Sequence, residues 1–106
     1  EMSGHISTTA EITEISNPDG NHVLTLKVAP EWMRYILVKG FIGLDGASLT
    51  VAAVNPAGTF TVWLVPETLE RTCFSMRQVG DIINVEIDAK TQAIVDTVER
   101  YMEARE

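Results

Sequence analysis

Lys39-Gly40-Phe41-Ile42-Gly43-Leu44-Asp45-Gly46-Ala47-Ser48-Leu49-Thr50-Val51 is the stretch that decides the fold. At its centre Asp45-Gly46 stands between Ile42/Leu44 and Leu49/Val51. A two-residue type I′ turn needs positive φ at both central positions, which Asp-Gly tolerates, so the segment predicts a β-hairpin. Along a strand, residues i and i+2 face the same way. Leu49 and Val51 therefore point into a core, while Ser48 and Thr50 present two hydroxyls on the opposite face. With three glycines in seven positions just before them, these hydroxyls form the edge of a pocket. Gly-rich hairpins are also common in small barrels, and Ser or Thr on a strand is usually plain surface; the residues alone leave both readings open.

Outward from the hairpin the chain continues in short, β-rich pieces. Residues 3–12 are Thr-rich and β-branched and predict a first strand. Within it His5 is the one residue of a type that ionises near neutrality, hence a candidate for proton transfer. Residues 16–21, Ser-Asn-Pro-Asp-Gly-Asn, close a loop, and residues 22–28 alternate with period two as a half-buried strand. Pro30 and Glu31 open a short helix over residues 30–36, in which Trp32, Tyr35 and Ile36 share a core-covering face. After the hairpin, Asn55-Pro56-Ala57-Gly58 turns the chain into a strand over 59–65 that Pro66 stops. Residues 66–72 predict a short helical turn with Thr68 projecting from its start, and residues 79–88 a turn plus a final strand ending on Asp88. No role for the bulky Trp63 is evident. From Thr91 to the end the period becomes helical, with Ile94, Val95, Val98, Tyr101 and Met102 on one face and charges on the other. That stripe follows a completed barrel, and the pattern does not decide whether it packs on its own domain or on another subunit.

The elements add up to an all-β fold: a small antiparallel, six-stranded, Greek-key-like barrel with short helical covers and a C-terminal α-helix. Such a barrel has room for one heterocycle at its mouth and no large cavity. The expected organisation is a barrel over residues 1–90 and an amphipathic helix over 91–106. At 106 residues the chain is one domain, and 45% apolar content with three Phe, two Trp and two Tyr implies a Val/Ile/Leu core. A net charge of −7 without a basic run argues against nucleic acid or an anionic membrane as partner. The single Cys73 has neither a disulfide partner nor metal-ligand spacing, which indicates a cytoplasmic setting. No signal-peptide pattern and no apolar run of about 18 residues indicates secretion or a membrane span. The opening Glu1-Met2 reads as a domain cut from a longer chain.

Four segments in order resemble the riboflavin synthase family, specifically the second of its two similar barrels: residues 2–6 (Met-Ser-Gly-His-Ile), 35–51, 64–72 (Leu-Val-Pro-Glu-Thr-Leu-Glu-Arg-Thr), and 80–88 together with Thr97-Val98-Glu99-Arg100. The resemblance implies a domain that binds dimethyl-ribityllumazine and riboflavin. In that family two lumazines meet between the first (N-terminal) barrel of one subunit and the second barrel of a neighbour. A four-carbon unit passes between them, giving riboflavin and a ribitylaminopyrimidinedione with no metal or redox cofactor. The terminal helices assemble a homotrimer. Carried over residue by residue, substrate contacts fall on Gly4, Ile6, Ser48, Thr50, Val65 and Thr68, and catalytic roles on His5, Ser48 and Asp88. The first barrel is absent here, so this chain holds half of an active site and is expected to bind ligand with little activity alone. The rival readings are a non-catalytic lumazine- or flavin-binding barrel, which keeps the pocket without transfer, and a plain oligomerisation module, which binds no ligand.

Overall fold

In the computed structural model, which describes residues 4–105, the alternating segments become six strands: β1 (Thr8–Ser16), β2 (His22–Val28), β3 (Phe41–Leu44), β4 (Ala47–Asn55), β5 (Thr59–Leu64) and β6 (Ile82–Ile87). They close into one antiparallel barrel in the order β1-β2-β5-β4-β3-β6. Two connections cross a barrel end, from β2 to β3 and from β5 to β6, which gives the Greek-key-like path expected from the sequence. The first contains a 3-10 turn, Pro30–Tyr35; the second contains helix α1 (Pro66–Arg71) and a 3-10 turn, Phe74–Met76. Helix α2 (Ala89–Ala104) follows β6. The hairpin turns on Asp45 (φ 47°) and Gly46 (φ 86°), the two positive values that a type I′ turn requires.

The first strand starts later and runs further than the sequence pattern indicated. Residues 4–7 lie alongside β6 before pairing begins. Ser7 N–H donates to the Val85 carbonyl at 2.7 Å, and Ser7 Oγ accepts from Ile87 N–H at 3.0 Å. At the other end β1 continues through residues expected to turn, because an irregularity between Ile12 and Glu14 re-aims the strand and lets Ser16 pair with Val23. The helix expected over residues 30–36 is a 3-10 turn, as suits six residues without a side-chain N-cap.

Inward-facing positions fill the barrel. Ile12, Leu24, Leu26, Leu44, Val62, Ile83 and Val85 are fully buried, and no polar or charged residue is buried among the described residues. This agrees with the expected absence of a large internal cavity. Branched aliphatic side chains pack the interior of so small a barrel to its axis, so a ligand must use a surface of the barrel and not its inside.

Helix α2 begins at Ala89 because the Asp88 carboxylate caps it, accepting from Thr91 N–H at 3.0 Å and from Thr91 Oγ1 at 3.1 Å. It docks on the Pro30–Tyr35 turn. There the part-buried Tyr35 hydroxyl donates to Asp96 Oδ1 at 2.5 Å and accepts from Arg34 Nη2 at 2.7 Å, and Arg34 Nε pairs with Glu99 at 3.3 Å. Asp96 raises the Tyr35 phenol above its ordinary value, with desolvation acting in the same direction. Val95 packs toward the core, whereas Ile94, Val98, Tyr101 and Met102 remain exposed. The helix thus meets its own barrel through a polar latch and one aliphatic side chain, and most of the apolar stripe is left uncovered.

Candidate functional site

Three of the expected site residues, Ser48, Thr50 and Asp88, lie on the outer wall in two rows. One row runs from Ser48 to Gly43 and on to Glu86, each opposite the next in register. Gly43 has no side chain to raise between its neighbours. Beside Glu86 passes the segment of residues 4–7, with Gly4 N–H donating to both Glu86 carboxylate oxygens at 3.1 Å. Gly4, Ile6 and Ala47 line a cleft of about 800 Å³ with Asp45, Arg77 and Glu86. The other row pairs Thr50 with Phe41; extending the Ile42–Ile87 register by one position brings Asp88 beside Phe41.

Next to these rows the wall opens. Pairing between β4 and β5 runs from Asn55–Thr59 to Val51–Val62 and, among the described residues, ends there, although β4 reaches back to Ala47 and β5 runs on to Leu64. Hydrogen bonding alternates along an antiparallel ladder, and its phase can be read here. Asp45 N–H donates to the Asn84 carbonyl at 2.9 Å, and Val51 N–H to the Gly40 carbonyl at 2.9 Å. Both place Ala47, Leu49 and Val51 as the β4 residues bonded toward β3. The main-chain N–H and C=O groups of Ser48 and Thr50 therefore point toward β5. On the facing side, the bond from Val28 N–H to the Gly58 carbonyl puts Phe60, Val62 and Leu64 in phase with β2, so the main chain of Trp63 points toward β4.

The seam is edged by four sets of groups: the main chain of Ser48 and Thr50, their exposed hydroxyls, the main chain of Trp63, and the start of α1. Val65 caps that helix without a side-chain bond, and its carbonyl accepts from Thr68 N–H at 3.0 Å and Leu69 N–H at 3.2 Å. Thr68, half-buried on the first turn, stands over the end of β5. Unpaired strand edges are ready-made hydrogen-bonding templates. A flat heterocycle with alternating donors and acceptors can add itself there much as a strand would.

Continuing the Val51–Val62 register past its last pair sets Thr50 and Ser48 on one side of the seam and Trp63 and Val65 on the other, with Thr68 on the turn that follows Val65. Gly4 and Ile6 line the adjoining cleft, with Ser48 at the boundary between the two. His5 is exposed and sits next to Gly4 on the Glu86 side. Asp88 lies at the far end of the second row and is engaged as the cap of α2; the Thr91 N–H holds its carboxyl below the ordinary carboxylate value, more than burial opposes it. The sequence reading missed Glu86, which fixes the Gly4 backbone, and Asp45, whose carboxylate accepts from Arg77 Nη2 at 2.6 Å and Asn84 N–H at 2.8 Å. The alternation in residues 82–88 marks Glu86 as outward-facing, but only the packing of residues 4–7 gives it a partner. Asp45 read as a turn former and serves also as a tie between the hairpin and β6.

Comparison with known proteins accords with this geometry. Residues 3–88 match the family model described as the lumazine binding domain. The chain is 54% identical over 106 residues to riboflavin synthase of Escherichia coli (strain K12), covering 99% of this chain and 49% of that protein. It is 44% identical to riboflavin synthase of Buchnera aphidicola subsp. Schizaphis graminum, covering 95% and 49%. The chain therefore spans about half the length of the curated relatives it matches. Among solved structures, LumP complexed with 6,7-dimethyl-8-(1'-D-ribityl) lumazine has a TM-score of 0.76 at 19% identity, and LumP complexed with riboflavin 0.77 at 18%. Each covers 85% of this chain, with 50% and 48% of the LumP chain matched. At that identity the likeness concerns the fold. The family model spans the whole barrel and both edges of the seam, and on that ground the chain belongs to the lumazine binding domain family.

Proposed function

We propose that this chain is the second barrel of a riboflavin synthase and binds one dimethyl-ribityllumazine, or the product riboflavin, at the β4–β5 seam. The observation that carries the reading is the seam itself: main-chain donors and acceptors with Ser48 and Thr50 hydroxyls along an interrupted ladder, in a chain 54% identical to a riboflavin synthase. The pyrimidinedione edge of the ligand has the alternating donors and acceptors that a strand edge satisfies. Thr68 and the main chain at Val65 border its far side, and Gly4 and Ile6 the near side.

In the proposed reaction two lumazines dismutate, one giving up a four-carbon unit and the other receiving it. Chiefly this requires orientation of two identical reactants, which can remove about 7–11 kcal/mol of the reaction barrier. A positioned base for the acidic ring methyl adds about 10²–10⁴-fold. His5 is assigned proton removal or water activation, and Ser48 a hydrogen bond to charge developing on the ring. Asp88, already the cap of α2, would hold the partner barrel in place. The second lumazine would sit on the N-terminal barrel of a neighbouring subunit, and the exposed stripe of residues 91–106 would assemble a homotrimer around barrels made by residues 1–90. The cytoplasm is the compartment this assignment implies. Identity of 54% to a riboflavin synthase against 19% to LumP favours the enzyme over a non-catalytic lumazine carrier.

The test is single-turnover riboflavin formation by the full-length enzyme carrying His5→Ala. Turnover should fall about 10–10³-fold with lumazine affinity far less affected, because orientation survives the change. Wild-type turnover in this variant would return His5 to the role of an ordinary segment residue.

A further inference from the structure

Two large aromatic side chains stand on the outer wall where a polar face is the rule. Trp63 is 51% exposed and Phe41 is 59% exposed. Their positions follow from the register. Phe41 is opposite Thr50, and continuing the Val51–Val62 pairing by one residue across the seam sets Trp63 opposite Thr50 from the other side. Trp63 is in turn opposite Val23 on β2, which is only 8% exposed although it faces outward. The outer row thus reads Val23, Trp63, Thr50, Phe41, with the one hydroxyl between the two rings.

The spacing suits a guest. Neighbouring strands lie about 4.8 Å apart, so Trp63 and Phe41, two strands from each other, are separated by about 9.6 Å before any widening at the seam. Offset or tilted aromatic contacts have centroids about 4.5–7 Å apart, and a planar ring held between two such contacts needs about 9–14 Å between the outer rings. Thr50 is too short to fill that interval. The main-chain edges of Ser48, Thr50 and Trp63 lie in the seam between Thr50 and Trp63, on the Trp63 side of that interval, where they can hold the rim of a ring that Trp63 contacts.

We propose that Trp63 and Phe41 flank the bound heterocycle, with Trp63 as the specificity-determining ring contact that favours an electron-poor, planar bicyclic or tricyclic ligand over a monocyclic pyrimidine. This rests on the lumazine-site reading above and extends it to residues that reading leaves without a role. An indole is electron-rich and a flavin or lumazine ring is electron-poor, so contact between them gives a charge-transfer band that mere proximity does not.

The test titrates riboflavin into the 106-residue chain and into Trp63→Phe, Trp63→Ala and Phe41→Ala variants. Flavin fluorescence reports affinity, and a difference spectrum at the long-wavelength edge reports ring contact. A thermal melt accompanies each variant, since Trp63 stands opposite the buried Val23 and its truncation bears on stability as well as on binding. The expected result is a charge-transfer shoulder in the wild type that Trp63→Phe diminishes with modest loss of affinity. Trp63→Ala should bind about 2- to 12-fold more weakly, the factor that a lost aromatic contact represents. If wild-type chain binds riboflavin while both Trp63 variants match it in affinity and spectrum, the inference is overturned and the lumazine reading stands. If wild-type chain binds neither riboflavin nor dimethyl-ribityllumazine, both fall together.

Discussion

Asp88 carries two assignments that one pair of substitutions can separate. In the structure its carboxylate caps α2 through two hydrogen bonds from Thr91, at 3.0 Å from N–H and 3.1 Å from the hydroxyl. Replacing an N-cap acid by Ala costs about 1 kcal/mol, within a range of about 0.5–2, whereas Asn caps nearly as well as Asp. Helix α2 touches its barrel mainly at the Pro30–Tyr35 turn, so the loss falls first on the helix, shifting its local folding equilibrium by about fivefold. Circular dichroism across a melt should show Asp88→Ala losing helical signal early while the barrel transition stays in place, and Asp88→Asn should follow the wild type. The acid dependence has a definite sign. Thr91 N–H lowers the folded carboxyl below its ordinary value of 3.8, so the capping contribution is present above that value and disappears as pH falls through the lower folded one. The Asn variant should lack that acid-side loss. In the full-length enzyme, Asp88→Asn then isolates the charge: reduced turnover with intact helix would assign the carboxylate to the reaction or to the partner barrel. Equal destabilisation by Asn and Ala would refute the capping account.

Thr50→Val preserves shape and removes one hydroxyl, and Ser48→Ala removes the other. Each should cost about 0.5–1.5 kcal/mol of ligand affinity, about 2- to 12-fold in Kd by isothermal titration with riboflavin, and unchanged affinity in both would take these hydroxyls out of the site. Truncation after Lys90 removes nearly all of α2, with its exposed Ile94, Val98, Tyr101 and Met102, together with Val95, which packs against the core, and Asp96, which accepts from Tyr35. Sedimentation of the proposed full-length riboflavin synthase so truncated should show loss of the proposed trimer, and a trimer that persists would mean that the stripe is not the assembly surface.

Most of the barrel was legible because its signals are local. Asp45-Gly46 dictates a turn whatever surrounds it, Pro66 ends β5, and period-two alternation marks residues such as Leu24, Leu26, Val62 and Val85 as interior. What the sequence could not convey depends on neighbours distant along the chain. Residues 4–7 have strand-like composition, yet they lie beside β6 because Gly4 N–H finds the Glu86 carboxylate. A barrel without a large cavity was expected, and the closed register shows aliphatic side chains filling its interior. The hydroxyls of Ser48 and Thr50 were evident from i, i+2 spacing, but the opening that gives them a purpose arises from pairing that ends at Val51–Val62. Trp63 had no role in the sequence for the same reason, since its place beside Thr50 exists only once β5 lies against β4.

The central claim is that an interrupted edge between β4 and β5 binds a lumazine or flavin ring. Fluorescence titration of the 106-residue chain with dimethyl-ribityllumazine and with riboflavin measures it directly. The expected result is saturable binding of one ligand per barrel for both compounds, weakened by Thr50→Val without a change in melting behaviour. Absence of saturable binding by a chain that melts cooperatively would contradict it.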